Sequence, residues 1–199
     1  RKEKPLQSLY YESFFEGITS DAVNNIVLPV LIFLSFQSEF SLGALQSVFA
    51  LLAAFVSYIG GKKILGPQMM KCTSFAIIGL VCSSLLYFID VNATTVIIYN
   101  ICYYFLTPIR DIGYGHYGSN IIDIEKVEEE RVEHFVLREM VLNAGRVVSY
   151  LLIFLIITCF GESLSTFKIL TLVLTLPALM IIFHNFRIEK HVQKLLGQC

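Results

Sequence analysis

The sequence predicts an all-α membrane protein with six transmembrane helices, and two observations carry this prediction. The 199 residues are 55% hydrophobic and only 16% charged, and the mean hydropathy is +0.67. A soluble fold of this length could not bury so much apolar surface in one core. The apolar residues also form six stretches, each near the length of about 20 residues that crosses a bilayer as a helix.

Short polar or charged segments separate the six stretches. The six apolar stretches run over 9–36 or 17–36, 42–59, 72–89, 93–112, 136–160 and 167–183. The stretches are too long and too uniformly apolar for the strands of a membrane barrel, so helix is the predicted state. This division predicts a cytoplasmic linker over 1–8, a helical bundle over 9–184 and a cytoplasmic tail over 185–199.

The distribution of basic residues predicts that both termini face the cytoplasm. Twelve Lys and Arg residues lie before the first stretch, after the last, or between the second and third and the fourth and fifth. The opposite loops hold only Lys168. Because cytoplasmic loops carry the excess of Lys and Arg, this asymmetry sets the orientation. We therefore expect a multi-pass protein of a cell membrane, namely a bacterial plasma membrane.

The net charge, the cysteines and the histidines argue against several functional classes. The formal net charge is −1, which gives no reason to expect nucleic-acid binding. The five cysteines are scattered without a CxxC pair, so the sequence predicts no metal site and no disulfide framework. The four histidines form no HExxH motif and lie in loops, in the tail or at a helix end. We expect neither an enzyme nor a bound cofactor.

A glycine-rich segment at 113–118 matches the spacing G-x-G-x-x-G. A dinucleotide site needs a strand before this motif, whereas an apolar helix precedes it here. We expect the glycines to end the fourth helix at a turn. The residues from Ile121 to Phe135 then predict an amphipathic helix on the cytoplasmic surface, within a loop over 114–135.

Polar residues are concentrated in the first, fourth and fifth stretches, and the first and fourth also contain a proline. On the fourth stretch a polar face recurs at helical spacing. It comprises Asn100, Tyr103, Tyr104, Thr107, Asp111 and Tyr114. In the first stretch, Asp21 and Asn25 point away from Glu12 and Glu16. Such faces line either a water-filled cavity or a contact with another helix, and both alternatives stay open.

On the fifth stretch, Glu139, Asn143 and Arg146 share one helical face. An unpaired buried guanidinium would cost several kcal/mol, so Arg146 needs a partner. Glu139 and Asp111 are the candidates. The group either forms an ion-pair network that stabilises a cytoplasmic gate or contacts a substrate directly.

Six helices with both ends inside resemble one half of a major facilitator superfamily transporter. The loop over 60–67 reads GGKKILGP and resembles the loop after the second helix of that family, although the Asp of the motif is missing. Second halves often have a degraded version of this loop, so the departure favours a C-terminal half. The segment LREMVLNAGR at 137–146 is similar to the start of helix eleven in bacterial carriers. The resemblance implies two inverted three-helix repeats whose first and fourth helices line a central cavity.

The resemblance also implies a function: half of a secondary active transporter that moves a small solute by alternating access. The other half would lie on the same chain or on a second subunit. Helices one and four would present Asp21, Asn25, Asn100, Tyr103, Thr107 and Asp111 to the solute. A carboxyl in a low-dielectric cavity can hold a proton near neutral pH, so proton coupling, as in an antiporter, is compatible with this site. The alternatives are a stand-alone six-helix protein that dimerises as a carrier or channel, and a membrane scaffold without transport activity.

Overall fold

The computed structural model describes residues 3–64, 69–88, 92–124 and 131–195, and these residues are almost entirely helical. The α-helices are α1 (Glu3–Thr19), α2 (Leu28–Phe36), α3 (Glu39–Lys63), α4 (Met69–Ser84), α5 (Ala93–Ile124), α6 (Arg131–Phe160), α7 (Leu164–Thr175) and α8 (Ala178–Leu195). A π-helical segment, Val23–Val27, joins α1 to α2, and a 3-10 turn, Leu85–Phe88, extends α4. The all-α prediction is confirmed.

Several helices are long and apolar enough to cross a membrane. The five candidate spans among the described residues are Leu6–Phe36, Glu39–Lys63, Met69–Tyr87, Val132–Phe160 and Leu164–His191. Their outer faces expose large apolar side chains such as Phe40, Phe75 and Phe154, as expected for surfaces in contact with lipid. These helices indicate a multi-pass membrane protein. Helix α5, which carries the polar face and the charged residues Arg110 and Asp111, is not among the five.

Two groups of helices pack around α1 and α5. Helix α1 packs along α6 and α8, whereas α5 packs along α4 and α3, and α4 also contacts α8. Helices α1 and α6 cross with their backbones in contact at Gly17 and Gly145. A Cβ atom on Gly17 would meet the carbonyl oxygen of Leu142, and one on Gly145 would meet that of Phe14. Small residues permit this close approach between membrane helices.

The fourth helix does not end at the glycines of 113–118, contrary to expectation. Helix α5 continues through them to Ile124. A Cβ atom on Gly113 would overlap the side chain of Thr73 on α4, so this glycine allows two helices to pack closely instead of ending one. Of the expected surface helix, 121–124 belong to α5 and 131–135 to α6, while 125–130 lie outside the described residues.

The helices also extend beyond the apolar stretches at both ends of the chain. Helix α1 begins at Glu3, within the expected linker, and α8 continues to Leu195, within the expected tail. Leu9 and Ile188 are fully buried together in a small apolar cluster against Met70. This contact between α1, α4 and α8 accounts for helical structure past the apolar stretches.

The first helical rod is irregular directly after Asp21. The π-helical segment at Val23–Val27 precedes Pro29, which lies in the first turn of α2. Proline has no amide hydrogen to donate to the preceding turn, and a π-helical turn accommodates such an interruption. The irregular segment places Asn24 and Asn25 in a non-standard turn.

Candidate functional site

A cavity of about 650 Å³ lies between α1, α3, α5 and α6. It is lined by Glu16, Ser20, Asp21, Asn24, Ala53, Ser57, Tyr103, Tyr104, Thr107, Pro108, Arg110, Asp111, Ile112, Tyr114, Leu142 and Arg146. At 1.5 Å per residue, its charged side chains are attached roughly 20–30 Å along their helices from the ends at Phe36, Ala93 and Phe160. The cavity therefore lies well away from those helix ends.

Arg110 forms the centre of one charged group in the cavity wall. Its side chain is 2% exposed, and Nη2 lies 2.9 Å from Glu16 Oε1 and 2.8 Å from Asp111 Oδ1. Its Nε also donates a hydrogen bond to Asp111 Oδ1 at 3.0 Å. A guanidinium presents several donors in a fixed plane, which suits it to bridge two carboxylates. The ion pair with Glu16 joins α5 to α1.

Arg146 forms a second charged group, between α6 and α1. Its Nε pairs with Asp21 Oδ2, and its Nη1 donates to Asn143 Oδ1 at 2.9 Å. The structure thus pairs Arg146 with Asp21, instead of with Glu139 or Asp111 as expected. The close crossing of α1 and α6 brings Asp21 within reach, while Asp111 is bound to Arg110.

Tyrosines form an aromatic part of the cavity wall. The buried Tyr103 donates a hydrogen bond from its hydroxyl to the carbonyl oxygen of Ser20 at 3.3 Å. Its ring packs edge-on against Tyr104, which stacks on Phe49 with ring centroids 5.5 Å apart. The wall therefore combines charged groups with π surfaces.

The structure places some predicted residues at the cavity and others elsewhere. Asp21, Tyr103, Thr107, Asp111 and Arg146 line it together. Their proposed roles in binding or gating stay predictions.

Four other predicted residues do not line the cavity. Asn25 is exposed, and Asn100 is fully buried with its amide donating to the carbonyl of Val96 at 2.8 Å. Glu139 is also exposed. Asn143 takes part only through its contact with Arg146. The irregular turn after Asp21 turns Asn24, and not Asn25, toward the cavity.

Sequence reasoning did not assign Arg110, Glu16, Ser20 or Ser57 to the cavity. A signal existed for two of them, since Glu16 and Arg110 are charges within or next to apolar stretches, where charge is expensive. No comparable signal exists for Ser20 and Ser57, because serine is common at ordinary contacts between membrane helices.

A second polar cluster lies one helical turn from Glu16 along α1. Glu12 is completely buried and faces Arg138 of α6 and Asn185 of α8, but neither carboxylate oxygen has a hydrogen-bond partner. Arg138 lies over the ring of Tyr114 at 4.1 Å, and the Tyr114 hydroxyl donates to Ser13 Oγ at 3.3 Å. The cluster therefore adds a polar layer next to the cavity, on the side toward the N-terminus of α1. Within the described ranges, no group of three His, Cys, Asp or Glu side chains is arranged to hold a metal ion.

Comparison with known proteins finds a partial similarity to a bacterial protein. No family model and no solved structure matches the chain. The chain is similar to the uncharacterized protein YqgE of Bacillus subtilis (strain 168), with 28% identity over 152 residues. The alignment covers 75% of this chain and 35% of that protein, so this chain spans about a third of the length of the relative it matches.

Proposed function

We propose that this chain forms one six-helix half of a secondary active transporter that moves a small solute by alternating access. The observation that carries the proposal is the cavity of about 650 Å³, with two charged groups and a tyrosine wall inside a bundle of apolar helices. Ionisable residues within a membrane are expensive and mark substrate or ion pathways. In this proposal α5 crosses the membrane in addition to the five candidate spans, as the fourth of six along the chain, and its polar face is turned toward the solute.

The packing of the helices supports two inverted three-helix repeats. Taking α1 with α2 and α7 with α8 as single rods, the chain forms six rods: α1–α2, α3, α4, α5, α6 and α7–α8. The first rod packs on the fifth and sixth, the fourth packs on the second and third, and the third contacts the sixth. Exchanging rods one to three with rods four to six maps these contacts, which are the most extensive between rods, onto one another. Repeats of this kind build each half of major facilitator superfamily transporters, which the sequence resembles.

Two further observations support a second half beside this one. Of the five candidate spans, those of α3 and α6, which flank the cavity, have the smallest share of buried residues. The Bacillus subtilis relative is more than twice as long as this chain, which leaves room for a second bundle. In our proposal the other half covers the cavity, from the same polypeptide or from a second subunit, in a bacterial plasma membrane with both ends of this half cytoplasmic.

The charged groups suggest how the two access states are balanced. Asp21–Arg146 ties α1 to α6, and Glu16–Arg110 ties α1 to α5. A solute that competes for these side chains binds the two states with different affinity, and this difference shifts their populations. In this proposal the chain is a carrier and not an enzyme, because the polar side chains of the cavity serve to bind and to gate.

Cysteine accessibility tests the proposal. In the complete protein, made free of native cysteines, Thr107→Cys places a thiol in the cavity, and Phe75→Cys places one on an apolar face that is 68% exposed. A membrane-impermeant maleimide is added to oriented vesicles from either side. We expect Thr107→Cys to react from both sides, in two states that exclude one another, and the lipid-facing control not to react.

Three results would contradict the carrier. If Thr107→Cys reacted from neither side, the protein would be a scaffold without a path for a solute. Reaction from one side only would exclude alternating access. Reaction from both sides together with passage of the reagent into the vesicle would indicate a channel.

A further inference from the structure

We infer that the cavity binds the charged group of an organic cation, such as a protonated amine that carries an aromatic or apolar body. This inference rests on the proposed function, since it names the class of solute for the same cavity. It is supported by the charge balance of the wall, by an unused buried acceptor and by the position of the tyrosines.

The charges of the cavity wall do not cancel. Among the described residues that line it, Asp21 is matched by Arg146. Glu16 and Asp111 share the single guanidinium of Arg110. The wall therefore holds one more carboxylate than guanidinium groups, an excess of one formal negative charge. A solute with one positive charge cancels it, whereas an anion would add to the repulsion in a region of low dielectric constant.

One carboxylate oxygen beside Arg110 has no donor. Glu16 is 5% exposed, and its Oε1 pairs with Arg110, but its Oε2 has no hydrogen-bond partner. A buried acceptor without a donor is costly, and a charged donor satisfies it best. The side chain of Asp111 is 52% exposed and approaches the same guanidinium nitrogen, so the two carboxylates lie close together. An ammonium group brings up to three donors to such a pair.

The tyrosine wall offers a surface for the rest of the solute. Tyr104 lies two helical turns before Asp111 on the same face of α5, which separates them by roughly 10 Å. It is half-buried and lines the cavity, with Thr107 between it and Asp111. Tyrosine rings bind apolar groups and attract cations to their faces. A molecule with a positive group at Asp111 can therefore lay its apolar body along Tyr104.

Paired probes of matched shape and opposite charge test this inference. Equilibrium dialysis of the complete protein in detergent measures binding of tetraphenylphosphonium and, separately, tetraphenylborate. A smaller pair, tryptamine and indole-3-acetate, covers more compact solutes. We expect at least one cation to bind saturably and more tightly than its anionic counterpart. Asp111→Asn or Glu16→Gln should weaken that binding about tenfold or more, as loss of a charge-assisted contact does.

Two variants complete the test. Asp111→Glu should retain most of the wild-type affinity for the cation, because it keeps a carboxylate on the same face of α5. Glu162→Gln removes an exposed carboxylate from the loop between α6 and α7 and should leave binding unchanged. The inference is overturned if neither cation binds better than its anion, or if the Asp111 and Glu16 variants bind like the wild type. Alternating access of Thr107→Cys would then still support the carrier, so the two proposals fail separately.

Discussion

Arg110 is the most deeply buried charged side chain of the cavity wall, and two carboxylates neutralise it. Removing one member of a buried ion pair leaves the other charge without compensation, which costs more than the pair contributes. We therefore expect Arg110 to stabilise the fold by compensating the buried carboxylate of Glu16. Arg146 differs, because it and Asp21 are both about one-third exposed (34%).

Arg110→Met should destabilise the protein by about 3–5 kcal/mol, because Glu16 would remain buried without its partner. Thermal unfolding of the purified protein measures the effect. Arg187→Met is the matched control, since Arg187 is exposed and lies over the ring of Phe183 at 4.1 Å. Equal melting temperatures for the two variants would show that the Glu16–Arg110 pair is not an important stabilising contact.

Arg146→Ala should reduce transport about tenfold or more, a change of roughly 1.4 kcal/mol in the barrier, while the protein still inserts into the membrane. Because the pair with Asp21 is partly exposed, its loss should change stability by less than about 1 kcal/mol. Transport rate and melting temperature are measured on the same preparations, together with Asp21→Asn and the double variant. Normal transport by Arg146→Ala would contradict a gating role for the pair.

At the scale of helices, the crossing of α1 and α6 positions the second charged group. Gly17 and Gly145 lie at the contact, and Asp21 and Arg146 follow within about one turn. The same kind of contact explains why α5 does not end at Gly113, which packs against Thr73. At Gly17, Gly113 and Gly145 glycine therefore permits close packing between helices, although glycine in a sequence more often indicates the end of a helix.

Gly145→Val should destabilise the bundle by about 1–3 kcal/mol or more, because its side chain would overlap the carbonyl of Phe14. Gly43→Val is the matched control, since a Cβ atom there meets nothing within 4 Å. Melting temperatures compare the two variants. If both changed stability equally, the close crossing of α1 and α6 would not be essential for the fold.

The whole bundle has an orientation that the basic residues predict. The C-terminal end of α3 carries Lys62 and Lys63, whereas the loop after α6 carries Glu162. By the predicted orientation the first end faces the cytoplasm and the second faces outward. In the proposed carrier, this orientation defines which end of the cavity faces the cytoplasm.

Single cysteines measure this orientation. In a cysteine-free background and in right-side-out vesicles, an impermeant maleimide should label Glu162→Cys and leave Lys63→Cys unlabelled until the membrane is opened with detergent. Both positions are exposed, so accessibility within the protein does not limit the reaction. The reverse labelling pattern would invert the topology.

The amino-acid sequence was sufficient for the helical class, the membrane environment and the helices that carry polar residues. These properties depend on hydropathy and periodicity along the chain, which are local quantities. The polar face of α5 and the pair of positions Asp21 and Arg146 could be selected in this way. The sequence could not supply the partner of each charge, because a partner depends on the distance between helices.

Tertiary structure decided those partners. Arg146 meets Asp21 because Gly17 and Gly145 allow α1 and α6 to touch, and no pattern within either helix contains that contact. Arg110 pairs with Asp111, its neighbour on α5, and also with Glu16, which comes from another helix. The excess negative charge of the cavity follows from these pairings. Composition alone reports a net charge of −1 over the whole chain, and only the packing of helices shows where unbalanced charge lies.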